Sequence, residues 1–419
     1  MNFAKLNHIL IPGTRDGRDR LRDSSAARLL TPLVRMYAGL TLVGRFLAVF
    51  SLAALIVSLG LQRTQNYLVW AAVFALLAAS LAARRAFRLP DVSLGVAAPA
   101  RVPARTPACF TLRLENAGAR DEHALELRAP FLPWDGSWLA PLAPVASLCA
   151  GSTQLRTLTA EFVERGPHHL DPFEVTALVP LGIARGPAVA SGGARFLVTP
   201  YLAPVHSLAL PPRASGAPGG TDTAPRRGHS AELLGVRPYQ PGDRIRDLHA
   251  RSWARLGEPV VREYQRESAE RLALVVDRDA RAGDEEFEAA LSLAAGLLAH
   301  LASQRTTLDL WLAGPEPELL HLERGEGART HALDRLAVLQ RGARFDAEPL
   351  ARRLAPQLGQ LGAVVLVGAV WDAPQRAFAD GLRQRGLPVR ALIAVRSGAL
   401  EGATAIPIRA ILGREPLHL

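Results

Sequence analysis

Asp243, Asp247 and His249 lie close enough in sequence to share a site. Two carboxylates beside an imidazole are the ordinary material of hydrolysis, one group taking a proton while another orients water. Their spacing matches no zinc-binding pattern, and a lone histidine among arginines is more often a hydrogen-bonded structural residue. Ser252 follows them without the strand, glycines and helix that surround a nucleophile elbow. The glycines between Gly216 and Gly220 have no preceding strand, so they do not form a phosphate cradle. His168 and His169 adjoin, but neighbours on a strand face opposite ways and cannot both hold one ion. Cys109 and Cys149 are too few for a disulfide framework and too far apart for a redox or zinc pair, and are read as buried free thiols. Together these residues give no catalytic constellation, and the chain is read as a protein that binds rather than as an enzyme.

The densest chemistry is charge. From Gly228 to Tyr264, Arg237, Arg244, Arg246, Arg251, Arg255 and Arg262 interleave with Glu232, Asp243, Asp247, Glu258 and Glu263. Guanidinium forks bridge carboxylates and backbone carbonyls, so the stretch reads as a fixed polar surface. Leu233, Leu234, Val236, Ile245, Leu248, Trp253, Val260 and Val261 are expected to bury their apolar faces beneath it. Pro238-Tyr239-Gln240-Pro241-Gly242-Asp243 reads as a tight turn, proline presetting φ and glycine permitting a positive one.

The order Glu232, Arg237, Tyr239, Pro241-Gly242-Asp243, Ile245-Arg246, His249, Ala254-Arg255, Gly257 and Val260-Val261-Arg262-Glu263 resembles the signature of the bacterial family known as domain of unknown function 58. Ala250 stands where that family commonly has tryptophan, and Trp253 where it has a small hydroxyl residue, as though the aromatic anchor had shifted. The resemblance extends to Glu164-Arg165-Gly166, Val179-Pro180-Leu181-Gly182-Ile183 and Phe196-Leu197-Val198-Thr199-Pro200. It implies that Glu232, Arg237, Tyr239, Pro241, Gly242, Asp243, Arg246, His249, Arg255, Arg262 and Glu263 form a partner-binding or structural signature. It also implies a von Willebrand factor A-like domain behind that signature, and as partner a MoxR-type AAA+ ATPase acting with this chain in the assembly or maturation of a protein complex.

In von Willebrand A-like domains the first strand ends in an Asp-x-Ser-x-Ser loop that holds a divalent cation through oxygen ligands. Here the corresponding residues are Asp277-Arg278-Asp279-Ala280-Arg281. Both serines are missing, an arginine stands at the last position, and the later acid is displaced to Asp372. The expectation is a degenerate site without a cofactor; Asp277, Asp279 and Asp372 are the residues that would hold Mg2+ or Mn2+. The competing reading is a divalent-metal-dependent enzyme or a metal-switched adhesion module.

The elements that position these residues follow from patterning. The 419-residue chain has material for two or three domains. Its net charge of +10 is almost all arginine, Lys5 being the lone lysine, and the arginines are spread among acids, which is not the clustered footprint of a nucleic-acid binder. Residues 1–37 are read as a charged cytoplasmic arm. Within 38–84, two apolar blocks, Leu42 to Leu61 and Tyr67 to Ala83, read as a two-helix transmembrane hairpin, each close to the ~20 residues a bilayer requires if Arg45 turns back to the interface. Arg28, Arg35 and Arg45 precede it, Arg84, Arg85 and Arg88 follow it, and its loop carries Arg63 alone. That bias places both ends on the cytoplasmic side of a bacterial inner membrane.

Residues 90–205 alternate in short runs broken by Pro, Gly and Asn, as in a β-sandwich. Residues 206–227 have the composition of a flexible linker, 228–264 hold the signature, and 265–419 alternate strand and helix as a doubly wound α/β domain does. The fold class expected is therefore multidomain: an α-helical hairpin in the membrane, a β-sandwich and an α/β domain.

Overall fold

The computed structural model describes residues 36–60, 64–132, 135–210, 232–240, 248–265, 271–303, 307–322, 326–342 and 344–419. Nearly all of the expected N-terminal arm, most of the expected linker, and the signature residues Pro241, Gly242, Asp243 and Arg246 lie outside them. The chain divides into two compact units, Met1–Tyr201 and Leu202–Leu419.

The first unit begins with two helices, α1 (Leu42–Gly60) and α2 (Thr64–Ala83). Leucine and alanine favour the helix, and neither element has an interior proline to break it. Both leave large apolar side chains exposed, among them Phe46, Phe50, Ile56, Leu68 and Phe74. Among the described residues one helix, Tyr67–Ala86, is long and apolar enough to cross a membrane, and Leu42–Ser58 is a shorter apolar helix. The guanidinium of Arg45 lies over the Tyr37 ring, 4.6 Å from its centroid, turned back toward the start of α1.

Eleven strands follow among the described residues: β1 (Val92–Ala97), β2 (Arg101–Pro103), β3 (Ala108–Asn116), β4 (Glu122–Arg128), β5 (Gly136–Trp138), β6 (Val145–Leu148), β7 (Thr153–Phe162), β8 (Gly166–Leu170), β9 (Glu174–Ala177), β10 (Val189–Ala190) and β11 (Ala194–Thr199). They form sheets ordered β1-β3-β7-β5, β10-β9-β4-β6 and β2-β11-β8. Alternation decides the faces: on β3, Ala108, Phe110, Leu112 and Leu114 point inward. Phe110 meets Trp138, Phe162 and Phe196 edge-on in the core, an arrangement aromatic quadrupoles favour.

The same alternation corrects the expectation of buried thiols. Cys109 falls on the outward face of β3 between two inward residues, and both Cys109 and Cys149 are exposed. His168 has a structural place: Nε2 is 2.8 Å from an Asp135 carboxylate oxygen, Nδ1 is 3.0 Å from the Gly166 carbonyl, and the ring stacks on Phe196.

The second unit opens with β12 (Val205–Ser207), which falls across the expected boundary between sandwich and linker. It pairs in parallel with the C-terminal strand, and Leu208 and Leu210 pack against the core of this unit. Residues 206–210, expected as linker, are therefore part of the second unit; proline-rich composition hid the leucines that hold them. Gly296 permits this crossing, because a Cβ there would lie 2.3 Å from the Ala203 carbonyl oxygen.

Next come β13 (Glu232–Pro238), α3 (Ala250–Leu256) and β14 (Val260–Gln265), then β15 (Arg271–Val276), α4 (Asp284–Ser303), β16 (Thr307–Leu312), β17 (Glu318–Leu322), α5 (Glu326–Val338), α6 (Ala347–Leu354), β18 (Leu361–Gly368), α7 (Ala373–Gln384), β19 (Val389–Val395), β20 (Thr404–Pro407), α8 (Ile408–Ile411) and β21 (Leu417–His418). A six-stranded sheet runs β17-β16-β15-β18-β19-β20, parallel throughout except for β17. Along β15, Leu272, Leu274 and Val276 join the core with α4 and α5, while Ala273 and Val275 join the opposite core with α6 and α7. Burial on both faces is why β15 and β18 read as unbroken apolar runs.

Candidate functional site

The parallel sheet has one place where connections leave in opposite directions. From β15 the chain passes through α4 to β16 on one side, and it returns to β18 on the other. The carboxyl ends of β15 and β18 therefore flank the switch point of the sheet, the position where open α/β sheets bind ligands. Asp277 and Asp279 follow β15 directly, and Asp372 follows β18 as the N-cap of α7.

Asp277 is 3% exposed and Asp279 1%. One Asp277 oxygen accepts from the Asp279 N–H at 3.0 Å, and the other accepts from Gln375 Nε2 at 3.0 Å. Asp279 accepts from the backbone N–H of Arg281 and of Phe345, at 2.9 and 3.1 Å. The Arg281 side chain then closes on Asp279, with Nε at 3.1 Å from one oxygen and Nη2 at 2.8 Å from the other. Its remaining nitrogen, Nη1, donates to Asp372.

Electrostatics follow from these partners. Burial pushes the Asp277 carboxyl up to about 6, the Gln375 hydrogen bond opposing it. Burial acts the same way on Asp279, but the hydrogen bonds from Arg281 and the Phe345 amide outweigh it and hold that group down at about 2. Arg281 is held protonated by the carboxylates of Asp279 and Asp372.

The three acids named from sequence are thus brought to one edge, where a guanidinium joins Asp279 to Asp372, while Gln375 and the Asp279 amide hold Asp277. A divalent cation needs several convergent oxygens with free lone pairs. Here an N–H donor meets each oxygen of Asp277 and Asp279, and Arg281 brings positive charge to the point where Asp279 and Asp372 face each other. Among the described residues no group of three or more His, Cys, Asp or Glu could hold a metal ion. The residues present do not fit Mg2+ or Mn2+.

Gln375 was missed from sequence, although Asp372 and Gln375 have capping-box spacing and the box is formed. The Phe345 amide, 66 residues from Asp279, carries no local signal at all.

The signature makes a different surface. β13 and β14 pair antiparallel, Glu232 opposite Gln265 and Pro238 opposite Val260, so Arg237 sits opposite Val261 and Arg262 opposite Val236. The Tyr239 N–H donates to the Pro259 carbonyl at 2.8 Å, and the His249 N–H to that of Val260 at 2.9 Å, tying the turn and the helix start to β14. His249 stands at the N-terminal boundary of α3, and its Nδ1 lies 2.6 Å from Ser252 Oγ. Gly257 ends α3 with φ 77°, a left-handed conformation that glycine takes without strain.

Val260 and Val261 are buried, but Val236 is not, and Trp253 is 43% exposed. The expectation that both would bury under a polar surface is corrected: on α3, Trp253 and Leu256 lie three residues apart, hence on one face, and Leu256 is 63% exposed. Arg255 and Arg262 are exposed as well.

Comparison with known proteins agrees with the sequence resemblance over part of the chain. The family model described as "Protein of unknown function DUF58" matches residues 235–364. The uncharacterized protein YeaD of Bacillus subtilis (strain 168) is 28% identical over 132 residues, 32% of this chain and 32% of that protein, so the match spans about a third of the relative's length. Among solved structures, the CARDB domain of a Pyrococcus furiosus protein, in complex with di-metal ions, aligns at 13% identity and TM-score 0.20, covering 27% of this chain and 90% of that one. A Salmonella alpha-2-macroglobulin reacted with methylamine aligns at 16% identity and TM-score 0.20, covering 30% of this chain and 9% of that one. Likenesses that weak decide nothing about the fold. Over residues 235–364, which hold most of the signature hairpin and both buried acids of the sheet edge, the chain is similar to the DUF58 family.

Proposed function

We propose that the protein is a membrane-anchored, non-enzymatic interaction module: the helical hairpin inserts in the bacterial inner membrane, and the β-sandwich and a von Willebrand A-like domain work in the cytoplasm. The observation that carries this reading is the exposure of Trp253 and Leu256 on α3, which connects two paired strands in a stretch that also exposes Arg255 and Arg262. Exposed aromatic and aliphatic groups beside arginine are what a protein interface uses for its central contacts. The family resemblance supplies the partner, a MoxR-type AAA+ ATPase, and the role, assembly or maturation of a protein complex. Against the metal-dependent alternative stands Arg281, whose guanidinium takes the carboxylate oxygens a cation would need.

Capture of the MoxR-type ATPase encoded in the same genome by the full chain in detergent tests the reading. Wild type is expected to retain the ATPase, and Trp253→Ala with Leu256→Ala to lose at least tenfold in affinity, about 1.4 kcal/mol, while detergent-extracted yield is unchanged. Asp243→Asn and Arg246→Ala are expected to lose capture as well. Full capture by all of these variants would remove the basis of the proposal. A saturable stabilisation by Mg2+ that Asp277→Ala abolishes would favour the metal-dependent reading instead.

A further inference from the structure

Leu181 is the most exposed large hydrophobic residue among those described, with 75% of its surface open. It also has φ 69° and ψ −1°, a left-handed conformation that glycine or asparagine would adopt at lower cost. A leucine held there buries only a quarter of its surface in its own fold, so an external apolar surface is its natural partner.

The position of its loop says which surface. The Thr41 hydroxyl meets the carbonyls of Gly182 and Ile183 at 2.6 and 3.1 Å, and the Thr41 N–H donates to the Ile183 carbonyl at 3.0 Å. Gly44 touches the same carbonyl; a Cβ there would sit 2.1 Å from the Ile183 oxygen. On the other side, Arg185 Nη1 donates to the Leu40 carbonyl at 2.7 Å while its Nε and Nη2 hold the Glu126 carboxylate, and the Arg185 N–H donates to the Gly39 carbonyl. Val179, Ile183 and Ala184 share one apolar cluster with Leu47, Val73, Leu77 and Leu81 of the hairpin helices.

α1 has 19 residues, about 28 Å at 1.5 Å per residue, against a hydrocarbon core of about 30 Å. A helix that short has no slack: to span, it must enter the apolar core at its first turn. Gly44 is in that first turn, and Leu77 is six residues inside the end of α2 at Ala83, roughly 9 Å. A loop fastened to Gly44 and packed with Leu77 cannot stay in bulk water while the helices span. Part of its backbone is paired within the loop and to the hairpin, the Val179 N–H donating to the Ala184 carbonyl, the Gly182 N–H to that of Val179, and Thr41 to the carbonyls of Gly182 and Ile183. That pairing lowers the cost of lying at the membrane boundary.

Resting on the membrane reading above, we propose that the loop Val179–Ile183 is a third membrane contact, with the Leu181 side chain entering the boundary between headgroups and acyl chains. The loop itself lines one side of a cleft of about 850 Å³ whose other residues include the acids Asp91, Asp121 and Glu122 alongside Arg88 and Arg120, so the contact draws on apolar insertion at the boundary and not on anionic headgroups.

The test uses the full chain with Cys109→Ser and Cys149→Ser, carrying a single nitroxide-labelled cysteine at Leu181→Cys, Phe46→Cys or Leu155→Cys, reconstituted in phosphatidylcholine vesicles with and without phosphatidylglycerol. Phe46 is exposed on α1 and Leu155 is exposed on β7. Collisional access to oxygen and to a nickel chelate is expected to place 46 in the acyl region, 181 at its boundary in both lipid mixtures, and 155 in water. Position 181 reading like 155 while 46 reads as lipid would overturn the loop contact and leave the hairpin standing. Position 46 reading as water would overturn the membrane reading and the loop contact together.

Discussion

At the residue scale the instructive group is the trio Asp277, Asp279 and Arg281. Two buried carboxylates one residue apart are driven in opposite directions by what donates to them: Asp277 up to about 6 through burial, Asp279 down to about 2 because Arg281 and the Phe345 amide outweigh its burial. A folded-state pKa above the unfolded 3.8 means the folded chain holds the proton more tightly, so the Asp277 contribution is fully present below 3.8 and is lost as pH rises through about 6. The span is roughly 3 kcal/mol at ~1.4 kcal/mol per pH unit. Asp279 works the other way, stabilising above 3.8 and losing that contribution as pH falls through about 2. Hydrogen exchange of β15, corrected for intrinsic rates between pH 4 and 7, is expected to show opening becoming easier with pH in wild type, and a flattened slope in Asp277→Asn. Equal slopes would mean Asp277 is ionised throughout. Arg281→Ser is expected to lower the melting midpoint and to make it respond to Mg2+, since Asp279 and Asp372 would regain free oxygens; wild type should not respond.

At the element scale, the hairpin and sandwich meet through apolar side chains, through the Arg84 and Arg185 guanidinium groups, and at one point through backbone in direct contact. Gly44 is the position where α1 lies against the Ile183 carbonyl, so Gly44→Val must push the loop away. Overpacking of this kind costs roughly 1–3 kcal/mol. The expected result is faster proteolysis between Val179 and Gly186 in detergent, with α1 and α2 still helical by circular dichroism. Unchanged cleavage would show that the loop is not held by this contact. Unbroken apolar blocks made both helices legible, and alternation or continuous apolar runs made most strands so, because each of these patterns is local. The hairpin of β13 with β14 was not, since its strands lie 21 residues apart between Pro238 and Val260, and long-range pairing leaves little local trace.

At the scale of the whole molecule, the arginines Arg84, Arg85 and Arg88 after the hairpin set the orientation proposed for both units. A fluorescent protein joined to Leu419 by a flexible linker is expected to glow, and a periplasm-dependent phosphatase at the same place to be inactive. The reverse pattern would separate this chain from any cytoplasmic ATPase. What the sequence alone determined is what repeats locally or sits in one unbroken motif: the apolar blocks, the alternating sandwich strands, the parallel strands buried on both faces, and the signature with its DUF58 likeness. Asp277, Asp279 and Asp372 were also named from it, as a degenerate set. Only the tertiary structure decided what that set does, because the donors that claim its oxygens, Gln375 and the Phe345 amide, arrive from segments far along the chain. It likewise decided that Trp253 faces outward and that Leu181 sits level with the first turn of α1, since exposure and depth are properties of packed elements and no residue carries them by itself.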